Sequence, residues 1–266
     1  MAEALMRERG NRRRKPKRAL WKRVLVWLGV IVTVLVVAGV IAYQILLYPP
    51  SAEAKAAMAG SDAVKVAEVK GGFRFDPAGE AKLPSVILYP GGLVEPESYS
   101  LLAAKLAEAG HRTYIADMPL NLAFTGENKA DAFIAEHPKD TYVIGGHSLG
   151  GVFASRYAVN HQEQLRGVFY MGSYADEAGS LKGTGLKALQ ITASRDGVLN
   201  VESWNKGKPN MPEDTKYVEI EGGNHAQFGS YGQQKGDKPA TITPEEQLGQ
   251  VSQAIVEWVG GLAQVK

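Results

Sequence analysis

The chain has no cysteine among its 266 residues. That excludes a disulfide framework, a thiolate metal site and a cysteine nucleophile together. Histidine is scarce, with five in all, and the histidines and carboxylates are not spaced as metal ligands, so no metal and no other cofactor is expected. A phosphate-loop Gly-Lys-Ser/Thr is missing. The pairs Gly91-Gly92, Gly145-Gly146 and Gly150-Gly151 do not assemble a dinucleotide fingerprint. Acidic residues are nearly absent from residues 1–23, which hold ten of the 30 Lys and Arg but two of the 28 Asp and Glu. The remainder, with 20 basic and 26 acidic residues, carries −6, so the overall +2 conceals two oppositely charged regions.

The apolar run next to the basic stretch argues for a membrane rather than nucleic acid. Residues 24–43 carry no charge, and twenty helical residues reach about 30 Å, the thickness of a bilayer's hydrocarbon core. Trp21 and Trp27 at one end, with Tyr43 and Tyr48 at the other, suit interfacial aromatic belts. The run exceeds the roughly 7 to 15 apolar residues of a signal peptide. An uncleaved anchor is therefore expected, although small-x-small sites lie downstream at Ala52-Glu53-Ala54 and Ala57-Met58-Ala59. The expected organisation is a basic cytoplasmic tail (1–23), a transmembrane anchor (24–47), a linker opened by Pro49-Pro50 (48–61), in which 51–59 reads as a short alanine-rich helix or linker, and one folded domain (62–266). The charge bias puts the N-terminus in the cytoplasm and the domain outside it.

Within the domain, short β-type runs alternate with helical patterns. Strands are expected at 63–69 and 73–75 as an antiparallel edge, then at 86–89, 112–116, 141–145, 167–171, 188–193 and 217–221. Helices are expected at 97–109, 129–136 and 151–160, with a closing helix after Thr243. There Thr243 and Glu246 form a capping-box pattern, Pro244 suits the first turn, and Gly260-Gly261 is the expected stop. Alternation of this kind predicts an α/β fold, doubly wound, with a mostly parallel eight-stranded sheet and helices on both faces.

The chemistry centres on Tyr142-Val143-Ile144-Gly145-Gly146-His147-Ser148-Leu149-Gly150-Gly151. Gly146-x-Ser148-x-Gly150 between a strand and a helix fits a nucleophile elbow, where side chains at the −2 and +2 positions would collide. A serine hydroxyl needs a base, and the base needs an orienting acid. Only His161 and His225 come after Ser148. His161 falls at the end of the elbow helix, whereas His225 stands after the last strand, where a base belongs. For the acid, Asp196 lies in an Asp-Gly turn after the penultimate strand, and Asp176 after the strand before it is the alternative. Oxyanion donors are expected at the amide of Leu149 and, in Tyr89-Pro90-Gly91-Gly92-Leu93-Val94, at Gly92 or Leu93. His147 and Asn224 are expected to shape the substrate pocket, with Asn224 alternatively bracing its loop.

These stretches, together with Met118-Pro119-Leu120-Asn121-Leu122-Ala123 and Gly223-Asn224-His225-Ala226-Gln227-Phe228-Gly229, resemble the α/β-hydrolase superfamily. The closer likeness is to its bacterial fold-5 group, related in fold to dienelactone hydrolases, and spans about residues 62 to 262. The resemblance implies Ser148 as nucleophile, Asp196 as acid and His225 as base, in a serine hydrolase acting on small-molecule esters. It departs from dienelactone hydrolases, whose nucleophile is cysteine, so their substrate does not carry over. Short insertions predict an open cleft suited to small or surface-accessible esters. Acyl transfer on the same triad and a catalytically silent binding module are the rival functions, and the oligomeric state is not legible.

Overall fold

Apolar runs between residues 64 and 220 pair into a single sheet because each is too short and too β-branched to bury itself otherwise. The computed structural model describes residues 17–262. Its strands are β1 (Val64–Val69), β2 (Gly72–Pro77), β3 (Ser85–Tyr89), β4 (Thr113–Ala116), β5 (Tyr142–His147), β6 (Leu165–Met171), β7 (Lys187–Ala193) and β8 (Lys216–Ile220), in the order β1-β2-β4-β3-β5-β6-β7-β8. β1 pairs with β2 and β2 with β4 antiparallel, as the edge expectation required, and every later pairing is parallel. The helices are α1 (Lys17–Leu46), α2 (Ala52–Ala57), α3 (Ser100–Glu108), α4 (Ala130–Glu136), α5 (Leu149–Asn160), α6 (Val201–Gly207) and α7 (Pro244–Leu262).

Alternate residues of the central strands feed opposite faces of the sheet. Val86, Leu88, Val143 and Leu189 meet Leu102 and Leu106 of α3 and Val251 and Ile255 of α7. Ile87, Tyr89, Ile144 and Tyr170 meet Phe133 of α4 and Phe153 and Tyr157 of α5. Burial on both faces is why β3 and β5 read as continuous apolar runs. The fold is thus α/β and doubly wound, with helices on both faces of an eight-stranded, mostly parallel sheet.

One expectation changes, the stop of the closing helix, and two connecting segments hold short helices. The closing helix begins as expected, with the Thr243 N–H donating to Glu246 Oε2 (2.7 Å) and the Glu246 N–H to Thr243 Oγ1 (3.1 Å). It passes through Gly260-Gly261 to Leu262, because Leu262 packs on the core. The polar insertion after β7 contains α6, whose cap is Asn200, the Oδ1 accepting from the Ser203 N–H. Residues 48–61 carry α2, which ties back to the domain. Ser100 Oγ donates to the Ala54 carbonyl (2.6 Å) and the Ser51 N–H to the Ser230 carbonyl (2.7 Å).

The chain divides into two units after Leu46. In the first, residues 21–46 of α1 are long and apolar enough to cross a membrane. Arg7, Arg9, Arg12, Arg13, Arg14 and Lys15 of the basic tail lie outside the described residues.

Candidate active site

β5 ends at His147 and α5 begins at Leu149, so Ser148 makes the turn alone, at φ 50° and ψ −121°. A non-glycine residue there is strained and persists only where its surroundings over-determine it. The surroundings are backbone. A Cβ on Gly146 would stand 2.6 Å from the Tyr89 carbonyl oxygen, and one on Gly150 would overlap that same oxygen. The end of β3 therefore presses against the turn from below. On its other side, the Ser148 N–H donates to the Met171 carbonyl (3.0 Å), and Ser173 Oγ donates to the Ser148 carbonyl (2.6 Å).

Asp196 and His225 come together beside this turn. His225 Nδ1 lies 2.7 Å from Asp196 Oδ2, with side-chain exposures of 0% and 4%. Asp196 Oδ1 accepts from the N–H groups of Val198 (2.8 Å) and Leu199 (2.7 Å), which fixes the carboxylate. An acceptor-only carboxylate at Nδ1 keeps the imidazole proton there and leaves the lone pair on Nε2. That buried nitrogen has no hydrogen-bond partner among the described residues. Gly172, at φ +51°, comes after β6 against the pair, and a Cβ there would lie 3.0 Å from both Asp196 Oδ2 and His225 Nδ1. The adjacent Ser173 holds the Ser148 carbonyl, so two consecutive residues join the serine turn to the acid and the histidine.

The alternatives sit elsewhere. Asp176 is ion-paired with Arg156 and accepts from the Gly179 N–H (2.9 Å). His161 stacks on Tyr157, with Nδ1 2.9 Å from the Tyr157 carbonyl.

Of the expected oxyanion donors, Leu93 is removed. Its left-handed backbone (φ 61°) directs its N–H to the Asn121 carbonyl at 2.7 Å. The N–H groups of Gly92 and Leu149 have no partner among the described residues. They are neighbours, since a Cβ on Gly92 would touch the Leu149 side chain at 3.3 Å.

His147 and Asn224 both act as braces, and Asn224 also lines the cavity beyond the His225 loop. His147 is buried, with Nδ1 2.8 Å from the Tyr99 hydroxyl, which itself accepts from the Gly91 N–H at 2.9 Å. Burial foremost, and the neighbouring His225 next, push the His147 pKa well below its ordinary value, so the ring stays neutral. Burial likewise pushes the Tyr99 hydroxyl up, keeping its proton for His147. Asn224 uses its Oδ1 on the Gln227 N–H (3.1 Å) and its Nδ2 on the Lys238 carbonyl (2.8 Å). Its backbone N–H and carbonyl are both held by the Gln247 amide (2.9 and 2.8 Å).

Sequence reasoning missed three supports. Tyr99 was legible only as an apolar helix position, yet it links the Gly91 loop to His147. Asp237 joins the loops of the acid and the histidine, accepting from the N–H groups of Gly197 (2.9 Å) and Ala226 (2.8 Å). Gln247 reaches across from α7. Among the described residues, no group of three or more His, Asp or Glu is arranged to hold a metal ion. The large cavity, about 1070 Å³, lies beyond the His225 loop among Leu101, Lys105, Gln227, Pro239 and Leu248, and Ser148 does not line it.

A family model described as "Alpha/beta hydrolase family" matches residues 85–249. No curated protein matches the chain. Among solved structures, dienelactone hydrolase from Anabaena variabilis ATCC 29413 superposes with a TM-score of 0.57 at 17% identity, covering 74% of this chain and 97% of that one. The esterase domain of a Rhodothermus marinus protein gives 0.55 at 12%, covering 73% and 97%. The Paleococcus ferrophilus monoacylglycerol lipase gives 0.53 at 15%, covering 75% and 99%. At these identities the likeness is one of fold.

Proposed function

The chain belongs to the alpha/beta hydrolase family, and from that premise we propose that it is a membrane-anchored serine hydrolase of carboxylic esters. The observation that carries this reading is the buried 2.7 Å contact between His225 and Asp196, set beside a serine held in a strained strand-to-helix turn. Ser148 Oγ attacks the ester carbonyl while His225 Nε2 takes its proton. The N–H groups of Gly92 and Leu149 hold the oxyanion. Collapse breaks the C–O bond, and the alcohol leaves with the proton from His225. Water, deprotonated by the same nitrogen, then releases the acid and restores Ser148. Asp196 orients His225 and supports the imidazolium. His147, whose ring centre packs 4.4 Å from that of His225, stays neutral and sets no second positive charge beside it.

The anchor is assigned to residues 24–47, the N-terminus to the cytoplasm and the domain from residue 62 to the other side. The lack of cysteine supplies a clean reporter of this. A single Glu177→Cys at an exposed position should be labelled by a membrane-impermeant maleimide on intact cells; labelling only after lysis reverses the orientation.

The catalytic reading is tested by a fluorophosphonate probe on the full chain. Wild type should be labelled and Ser148→Ala should not, with p-nitrophenyl acetate hydrolysis falling by about a thousandfold or more. Equal labelling of the two proteins sinks the assignment.

A further inference from the structure

Tyr48 is paired directly to the loop that carries Gly92. Its N–H donates to the Leu93 carbonyl (2.8 Å), its carbonyl accepts from the Glu95 N–H (3.1 Å), and its ring packs 5.5 Å from Tyr231. Only Leu47 stands between Tyr48 and Leu46, where α1 ends. Two residues of chain span at most about 7 Å. Connectivity alone therefore tethers the residue 91–95 loop to the end of the apolar helix.

The neighbouring loop is built unusually for a surface facing water. Leu93 donates to Asn121, and Leu120 and Asn121 both adopt left-handed backbone (φ 54° and 50°). Together with Leu93 and Ser148 they are the four non-glycine residues in that region among those described. A leucine pays strain there. Leu120 is nevertheless 63% exposed, and Phe124 on the same loop is 57% exposed. Apolar side chains lead inward from them. The Phe124 ring lies 6.3 Å from that of Phe153, one helical turn beyond Leu149. A Cβ on Gly92 would touch both Leu122 and Leu149. An apolar track thus runs from the exposed tip to the two unpartnered N–H groups.

We propose that the ester taken by Ser148 belongs to a lipid of the bilayer in which the chain is anchored. Leu120 and Phe124 seat at the boundary between headgroups and acyl chains, and the lipid's apolar part stays in the bilayer and along the half-buried Leu122 and Leu149. Only the ester then needs to reach Ser148. The proposal rests on the serine-hydrolase reading and narrows its substrate.

The test uses the full chain reconstituted in diether phosphatidylcholine vesicles, whose own lipids offer no carboxylic ester. The vesicles carry 1-oleoylglycerol, dioleoylglycerol or dioleoylphosphatidylglycerol, and p-nitrophenyl acetate is supplied in the water. At least one vesicle ester should release oleate in a Ser148-dependent manner. In Leu120→Asn with Phe124→Ser, the ratio of vesicle-ester to p-nitrophenyl acetate turnover should fall at least tenfold. Asparagine suits left-handed backbone, and fluorophosphonate labelling of the variant checks that its site is intact. Phe124→Ser alone, expected to lower the ratio about threefold, serves if the double variant does not fold. Oleate release from none of the three lipids, or an unchanged ratio, overturns the lipid assignment. Loss of the serine-hydrolase reading would look different: p-nitrophenyl acetate turnover would survive Ser148→Ala.

Discussion

Ser148 is held chiefly by backbone packed against backbone, with the Ser173 hydroxyl on its carbonyl, while His225 is held by side chains reaching backbone. Around the serine, Gly146 and Gly150 let the Tyr89 carbonyl approach so closely that any larger residue collides. Around the histidine, Asp237, Asn224 and Gln247 satisfy N–H and carbonyl groups of a loop that has little regular structure of its own. The first arrangement is steric and turns on one carbonyl oxygen of the neighbouring strand. The second is polar and is spread over three side chains. Steric support fails all at once when a methyl is added. Polar support weakens one hydrogen bond at a time, at roughly 1 to 3 kcal/mol for each buried group left unpaired.

The contrast can be broken most severely at Gly150. Gly150→Ala drives a methyl into the Tyr89 carbonyl and should cost about 3 kcal/mol or more of stability, with hydrolysis lost. Denaturant unfolding monitored beside esterase activity checks both; a stable and active variant would deny the steric account. A milder effect is expected on the other side. Asp237→Asn turns a donor toward one of the N–H groups that the carboxylate now accepts, from Gly197 or Ala226. It should lower kcat/KM about tenfold through misplacement of His225, for about 2 kcal/mol of stability. Fluorophosphonate labelling should slow in proportion, and an unchanged labelling rate would dissociate Asp237 from the histidine.

The smallest effect sharpens the comparison where the two supports meet, at His147. Its folded-state pKa is depressed by burial, so on acidification the unfolded chain takes up a proton there that the folded chain refuses. Stability is therefore held above the ordinary value of 6.5 and lost as pH falls below it. The contribution is up to about 1.4 kcal/mol per pH unit. Buried His111 shifts in the same direction. Melting temperatures at pH 7.5 and 5.5 should differ less in His147→Gln than in wild type, and an equal difference would remove His147 from the balance.

The same division explains what was legible in the sequence. Strand periodicity and the sharpness of the turn, where a Cβ on Gly146 would stand 2.5 Å from the Gly150 carbonyl carbon, are properties of a few residues, so the strands and the elbow could be read directly. His225 and Asp196 could be found because parallel sheets put loops at strand ends in chain order. Tyr99 could not, because a hydroxyl on an apolar helix face gives no local sign that Gly91 and His147 will flank it. Asp237 stands in a polar stretch with no periodicity, and its partners are chosen by the tertiary fold. Leu93 was as good a donor as Gly92 until its left-handed turn committed its N–H to Asn121. The segment 48–61 looked free because the residues that hold it, Ser100 and Ser230, lie 46 and 179 positions from their partners.

The carbonyl of Tyr89 has a role wider than its contact with two glycines. β3 and β5 are direct neighbours, with Tyr89 in register with Gly146. The loop with the Gly92 amide leaves that carbonyl on one side, and the turn with Ser148 rests against it on the other. A single oxygen is thus the datum from which both halves of the cleft are gauged. When the sheet flexes with β3 and β5 in register, the two halves travel together. The cleft therefore keeps its calibration for as long as that one strand pair stays joined.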